Sequence, residues 1–187
     1  IFARFPVFKT SLDIISDFEI IIWTTTPWTM PGNRAVAYGK DIDYSLIEVT
    51  NVGENSLAKI GDKIIIAKEL VEDVMKEISV LSFNSSNTLK GSDFAGTVLA
   101  HPLNNNGYEH EVLLLEADFV TTDQGTGFVH IAPGHGADDF ELGRQNNLPI
   151  PETVSDNGIL NSDLPLLGGL RVLKDNEIIA DIMSEHN

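Results

Sequence analysis

Short apolar runs with a two-residue rhythm recur along the chain. They are Glu19-Ile20-Ile21-Ile22-Trp23, Ala35-Val36-Ala37-Tyr38, Tyr44 to Val49, Lys63 to Ala67, Glu111 to Glu116 and Phe128 to Ala132. Turn-forming residues separate many of them, as in Pro31-Gly32-Asn33, Asn104-Asn105-Asn106-Gly107 and Asp123-Gln124-Gly125, which predicts strands rather than helices. The period changes in Lys68–Ile78, where Leu70, Val71, Val74, Met75 and Ile78 recur at helical spacing and predict an amphipathic helix. A second helix is expected from Gly136 towards Asn147, stopped by Pro149, and a third from Asn176 to His186, with Ile178, Ile179, Ile182 and Met183 on one side. No internal repeat is present. Many strands with a few interspersed helices predict an α+β domain, built on a β-barrel-like or strongly curved sheet with peripheral helices. Strict strand–helix alternation and any Gly-x-Gly-x-x-Gly or P-loop pattern are missing, which disfavours a doubly wound nucleotide-binding fold.

Composition narrows the function classes. The 187 residues carry 12 Lys+Arg against 28 Asp+Glu, a formal net charge of −16. That length suits a single domain, and the acidity argues against autonomous nucleic-acid binding, which depends on clustered Lys and Arg. The absence of cysteine excludes disulfides, thiolate catalysis and Cys-ligated metal. The opening Ile1-Phe2-Ala3-Arg4 has neither an initiator Met nor a signal-peptide layout. Residues 1–187 are therefore expected to be one domain excised from a longer protein, with 161–187 connecting back to it.

Two clusters could carry chemistry. Trp23-Thr24-Thr25-Thr26-Pro27-Trp28-Thr29 follows an apolar strand and precedes a turn. Its hydroxyls suit a hydroxyl-rich ligand such as ribose, although threonine is also simply a good strand former. The second runs from Gly125-Thr126-Gly127 through Phe128-Val129-His130-Ile131-Ala132 and Pro133-Gly134-His135-Gly136 to Asp138-Asp139-Phe140. His130 is a polar interruption in an apolar strand, placed to line a pocket or to find a partner in the core. Asp138 and Asp139 fall in the first turn of a helix, where the backbone dipole favours their anionic forms. Two readings stay open on these residues alone. One is a metal-assisted hydrolase using His130, His135, Asp138 and Asp139. The other is a pocket in which an ionised Asp holds a substrate ammonium and His130 shapes the wall.

The same residues carry a family resemblance. Thr24-Thr25-Thr26-Pro27-Trp28-Thr29-Met30-Pro31-Gly32-Asn33 followed by Gly125 to Phe140, with Leu89-Lys90-Gly91 and His101-Pro102-Leu103 between, resembles the editing insertion of isoleucyl-tRNA synthetases. The likeness runs from Phe5-Pro6-Val7 to Ser155-Asp156-Asn157-Gly158. Valyl and leucyl relatives share the architecture but typically carry Arg-Pro after their threonines, where this chain has Thr26 before Pro27 and Trp28 after it.

What the resemblance implies is specific. The fold would be the editing-domain type shared by valyl, isoleucyl and leucyl enzymes, inserted into a Rossmann aminoacylation domain whose signature motifs are absent here. The reaction would be hydrolysis of Val-tRNA(Ile), with valyl-adenylate as a related substrate of the whole enzyme. A docking module for the tRNA end that performs no chemistry is the alternative. Asp139 would bind the α-ammonium, His130 would wall off the larger isoleucyl side chain, and Thr24, Thr25 and Thr26 would meet the terminal adenosine and aminoacyl group. Trp28 and Asn33 coincide with pocket-forming positions. Asp139, Thr25 and His130 are the expected catalytic set. No metal or other cofactor is implied for this domain; ATP would be used elsewhere in the parent enzyme. The implied partners are the aminoacylated 3′ end of tRNA(Ile) and the parent catalytic domain, in a monomeric cytoplasmic protein without a membrane contact.

Overall fold

Ile20, Ile21 and Ile22 are buried in succession, so the strand they form has no solvent face and must lie inside a sheet. In the computed structural model, which describes residues 1–186, that strand is β2 (Glu19–Trp23) of a nine-stranded mixed sheet. The other strands are β1 (Phe2–Lys9), β3 (Ala35–Tyr38), β4 (Asp43–Val52), β5 (Lys63–Ala67), β6 (Val80–Lys90), β7 (Val98–Ala100), β8 (Glu111–Glu116) and β9 (Phe128–Ile131). Their order is β6-β4-β5-β2-β1-β7-β8-β3-β9. Three helices, α1 (Val71–Glu77), α2 (Ala137–Gln145) and α3 (Asn176–His186), are peripheral to it.

β1 joins the two halves of the sheet. Phe2 to Pro6 pair with β2, whereas Val7 and Lys9 pair with β7. Pro6, which has no N–H to give, sits at this change of partner, where its missing donor costs least. The sheet curls until β9 comes close to β2, and the Ala67 amide reaches the Thr126 carbonyl at 2.9 Å. Among the described residues no ladder joins the two ends. The curvature is thus barrel-like, but the sheet is open rather than a closed barrel: its end strand β9 comes up against the interior strand β2 across a seam without a ladder among these residues.

Most of the buried apolar residues fall into two clusters. The larger holds Phe5, Ile20, Ile22, Tyr44, Phe94 and Phe128; the smaller holds Ala35, Ala37, Ile131 and Leu142 beneath α2. β3 is buried along its whole length because Val36 and Tyr38 face the first cluster while Ala35 and Ala37 face the second. Tyr44 ties the main core to the approach to β9: its hydroxyl accepts the Gly39 amide at 3.0 Å and donates to the Gly127 carbonyl at 2.8 Å. Gly127 has φ +78°, and a Cβ there would stand 2.2 Å from that of Ala67. Only glycine fits so tight a crossing.

The expected α3 is matched residue for residue, as are β2, β3, β5 and β8. The Lys68–Ile78 helix is divided into a 3-10 turn, Lys68–Leu70, and α1, and the helix expected from Gly136 ends at Gln145. β4 is longer than its apolar run, and β9 stops one residue earlier, at Ile131. Three strands escaped the sequence pattern. β1 contains a proline, β7 has three residues, and β6 is an edge strand with mostly exposed side chains and hence no apolar rhythm. Residues 161–186 pack onto the domain, with Leu167, Ile179 and Met183 buried and α3 lying against the Pro27–Gly32 turn.

Candidate active site

The seam between β2 and β9 opens into a pocket of about 220 Å³ lined by Trp23, Thr24, Thr26, Thr29, Val129, His130, Ala132, His135 and Asp139. β2 ends in the threonines, and Pro27 starts a 3-10 turn, Pro27–Gly32, that folds Thr29 back towards them. Thr29 donates its hydroxyl to the Thr26 carbonyl at 2.8 Å, while the hydroxyls of Thr24 and Thr26 lie 3.2 Å apart. The turn rests on His101, whose Nε2 meets the Met30 carbonyl at 3.0 Å and whose Nδ1 accepts the Leu103 amide at 3.0 Å. Burial of this ring holds its pKa down to about 3. It is a neutral structural prop.

His130 forms the wall opposite. Its Nδ1 lies 2.9 Å from Nδ2 of Asn33 and its Nε2 lies 2.8 Å from Oγ1 of Thr29. An amide nitrogen only donates, so Nδ1 is the acceptor and Nε2 carries the proton given to Thr29. Asn33 cannot be turned over, because Nδ2 also donates to the Ala35 carbonyl at 2.8 Å; a reversed amide would set oxygen against oxygen. Burial, with His135 acting in the same direction, lowers the His130 pKa to about 4. Both ring nitrogens are therefore engaged in a neutral, fixed imidazole.

Asp139 enters from the first turn of α2. Its Oδ2 accepts the Ala132 amide at 2.7 Å. Burial raises its pKa above the ordinary carboxylate value, Asp138 adds to the rise, and hydrogen bonds from the amides of Ala132 and of Asp139 itself oppose it. Among the described residues it forms no ion pair. A partly desolvated carboxylate without a protein cation is poised to gain from a ligand cation.

The structure brings Thr24, Thr26, His130 and Asp139 together around one pocket. Thr25 is exposed and does not line it. Asn33 is fully buried behind His130 rather than in the pocket, and its Oδ1 has no partner among the described residues. Trp28 supports the wall from outside, its ring edge-on to His135 at 5.2 Å. Two participants lay outside the expected site set: Thr29, which belongs to the threonine cluster, and Thr153, whose Oγ1 meets Nε2 of His135 at 2.6 Å. Nothing around Thr153 in the sequence signals this pairing.

Of the four residues of the metal-hydrolase alternative, His130, His135 and Asp139 line this pocket without closing into a metal-holding group. Among the described residues no three His, Asp or Glu side chains are grouped to hold a metal ion, and Asp138 lines a different groove, with Glu116 and Asp118. A larger cavity of about 480 Å³, between β1, β2 and α3, is lined largely by apolar residues such as Phe2, Ile21 and Met183. Its guanidinium, Arg4, is already paired with Glu19 and Asp62. Thr24, Thr26, His130 and Asp139, whose hydroxyl, imidazole and carboxylate groups the sequence singles out, line the smaller pocket instead.

Residues 46–164, more than half of the chain, match the family model described as "Leucyl-tRNA synthetase, editing domain". The chain belongs to the aminoacyl-tRNA synthetase editing-domain family. In sequence this editing domain sits with the isoleucine enzymes. It is 43% identical over 187 residues to the isoleucine–tRNA ligase of Gluconobacter oxydans, covering 99% of this chain and 20% of that protein. Identity to the isoleucine–tRNA ligase of Pelagibacter ubique is 40% over 185 residues, with the same coverage of 99% and 20%. The chain thus spans about 20% of the length of these relatives. In fold it resembles the crystal structure of GlLeuRS-CP1, with a TM-score of 0.71 at 13% identity, covering 98% of this chain and 94% of that one. No helix among the described residues is long and apolar enough to cross a membrane.

Proposed function

We propose that this editing domain hydrolyses the ester of Val-tRNA(Ile), and valyl-adenylate when it works within the whole synthetase. The observation that supports this reading most directly is the Asp139 carboxylate, which has no cationic partner among the described residues and lines the same pocket as the threonine hydroxyls and the fixed His130 ring. Asp139 takes the α-ammonium and so sets the position of the carbonyl. Thr24 and Thr26 meet the terminal ribose and the carbonyl oxygen.

Water attacks the ester carbon, and the developing oxyanion is stabilised by backbone amides and threonine hydroxyls. A neighbouring ribose hydroxyl of the substrate relays one proton of the attacking water to the leaving ribose oxygen as the ester C–O bond breaks. This restores the free tRNA hydroxyl and releases valine, whose carboxylic proton passes to solvent. His130, with both nitrogens engaged, contributes shape rather than proton transfer. It bounds the space for the side chain, so valine enters and isoleucine is refused. A second site of this kind is needed because an activation pocket distinguishes one methylene only weakly, a limit for which the isoleucine–valine pair is the reference case. The acidic domain does not capture tRNA alone; the synthetase body holds the nucleic acid in the cytoplasm and delivers its charged end.

A co-crystal with a non-hydrolysable valyl-adenosine amide tests the reading. Its ammonium is expected at Asp139, its ribose at Thr24 and Thr26, and its side chain against His130. Binding elsewhere would remove this pocket from the mechanism, and binding here without turnover of the ester would leave a docking module.

A further inference from the structure

Gly136 caps α2 with φ −164° and ψ 148°. This is extended backbone that any residue adopts, so the glycine is not required for conformational freedom. What it provides is room. A Cβ at this position would stand 2.8 Å from Oδ1 of Asp139, 3.0 Å from its Cγ and 3.4 Å from its Cβ. The three nearest neighbours of that absent methyl thus all belong to one side chain. Oδ2 of the same carboxylate is tethered to the Ala132 amide at 2.7 Å, which leaves Oδ1 lodged in the space a side chain at 136 would fill.

We infer that Gly136 is a positioning residue for the proposed hydrolysis: its missing side chain lets the Asp139 carboxylate fold back over the start of α2 and present Oδ1 to the substrate ammonium. The inference rests on the ammonium-binding reading of Asp139 given above. Gly136 differs from Gly127, where a Cβ would strike Ala67 in the core. Position 136 is exposed, so an added methyl displaces a flexible carboxylate rather than the fold. Alanine is a poorer helix cap than glycine, whereas serine brings the same Cβ together with a good cap. The pair separates capping from positioning.

The test uses the full-length enzyme that carries this domain, and two probes: a non-hydrolysable valyl-adenosine amide and its counterpart with an α-hydroxyl in place of the ammonium. Gly136→Ala and Gly136→Ser are each expected to weaken binding of the ammonium probe by about tenfold, as for loss of a charge-assisted hydrogen bond, and to change binding of the hydroxyl probe by less than about twofold. In an Asp139→Asn background, Gly136→Ala should add nothing further. Retention of the ammonium preference in both glycine variants would overturn the inference, and so would an equal loss for both probes. If Asp139→Asn itself keeps the preference, the reading of Asp139 fails and the role of Gly136 falls with it.

Discussion

Asn33 and His130 are joined by a 2.9 Å hydrogen bond from the amide Nδ2 to the imidazole Nδ1, and this bond decides which ring nitrogen carries the proton. Its consequence is a wall residue held from both sides: Asn33 fixes the acceptor nitrogen, and Thr29 receives the proton on the other at 2.8 Å. Asn33→Ala removes the donor to both His130 and the Ala35 carbonyl. The expected cost is about 1–3 kcal/mol of stability, from leaving buried acceptors unsatisfied. Urea denaturation reads the loss, and ¹⁵N spectra of the ring should show a mixture of tautomers in place of one.

His130→Ala enlarges the side-chain end of the pocket without touching Asp139. Hydrolysis of Ile-tRNA(Ile) relative to Val-tRNA(Ile) should rise by about tenfold or more, the scale on which one methylene is discriminated. Parallel deacylation assays on the two esters measure the ratio. Continued full protection of Ile-tRNA(Ile) would remove His130 from size selection.

Thr24 and Thr26 line the pocket, and the exposed Thr25 does not. Loss of an oxyanion donor costs about 100-fold or more, so Thr24→Ala or Thr26→Ala should reduce deacylation strongly. Thr25→Ala should change it by less than about threefold, as for a side chain outside the reacting centre. A larger loss at Thr25 than at Thr26 would place the reacting ester on the other side of the strand end.

Acid should unfold the domain early, through its histidines. Burial depresses His101 to about 3 and His130 to about 4, from an ordinary 6.5. Between those values the unfolded chain binds more protons than the folded one, so stability is fully present above pH 6.5 and falls as pH drops towards 4. His101 alone should remove about 2 kcal/mol by pH 5. Tm against pH checks the sign, and His101→Gln should flatten the slope.

The sequence shows most clearly those parts whose neighbours impose a rhythm. α3 was legible because Ile179 and Met183 recur on the face that it buries, and β2 because its isoleucines have no solvent side. β6 pairs with β4 through backbone groups while most of its side chains stay exposed, so no hydrophobic pattern records it. Pro6 concealed β1, since a change of ladder partner is a property of the assembled sheet. At the site, His130 and Asp139 stood out as polar residues where apolar strand or plain helix start would suffice. The position of Asn33 behind the wall and the Thr153–His135 pair depend on contacts between residues far apart in sequence. Local pattern carries no trace of them.

Asp139 ties the account together, and its raised pKa gives the decisive experiment a built-in control. An acid raised in the folded state adds its stability below its unfolded pKa and loses it as pH rises through the folded value. At neutral pH its ionised form therefore burdens the fold, and Asp139→Asn, which can still accept the Ala132 amide, should leave Tm unchanged or higher. The most direct measurement is the single-turnover rate of Val-tRNA(Ile) deacylation by this variant in the full-length enzyme, with Tm recorded on the same preparation. The account predicts a fall of about 100-fold or more, the scale expected when substrate positioning is lost, in a protein at least as stable as the parent. Deacylation at the parent rate by the folded variant would contradict it.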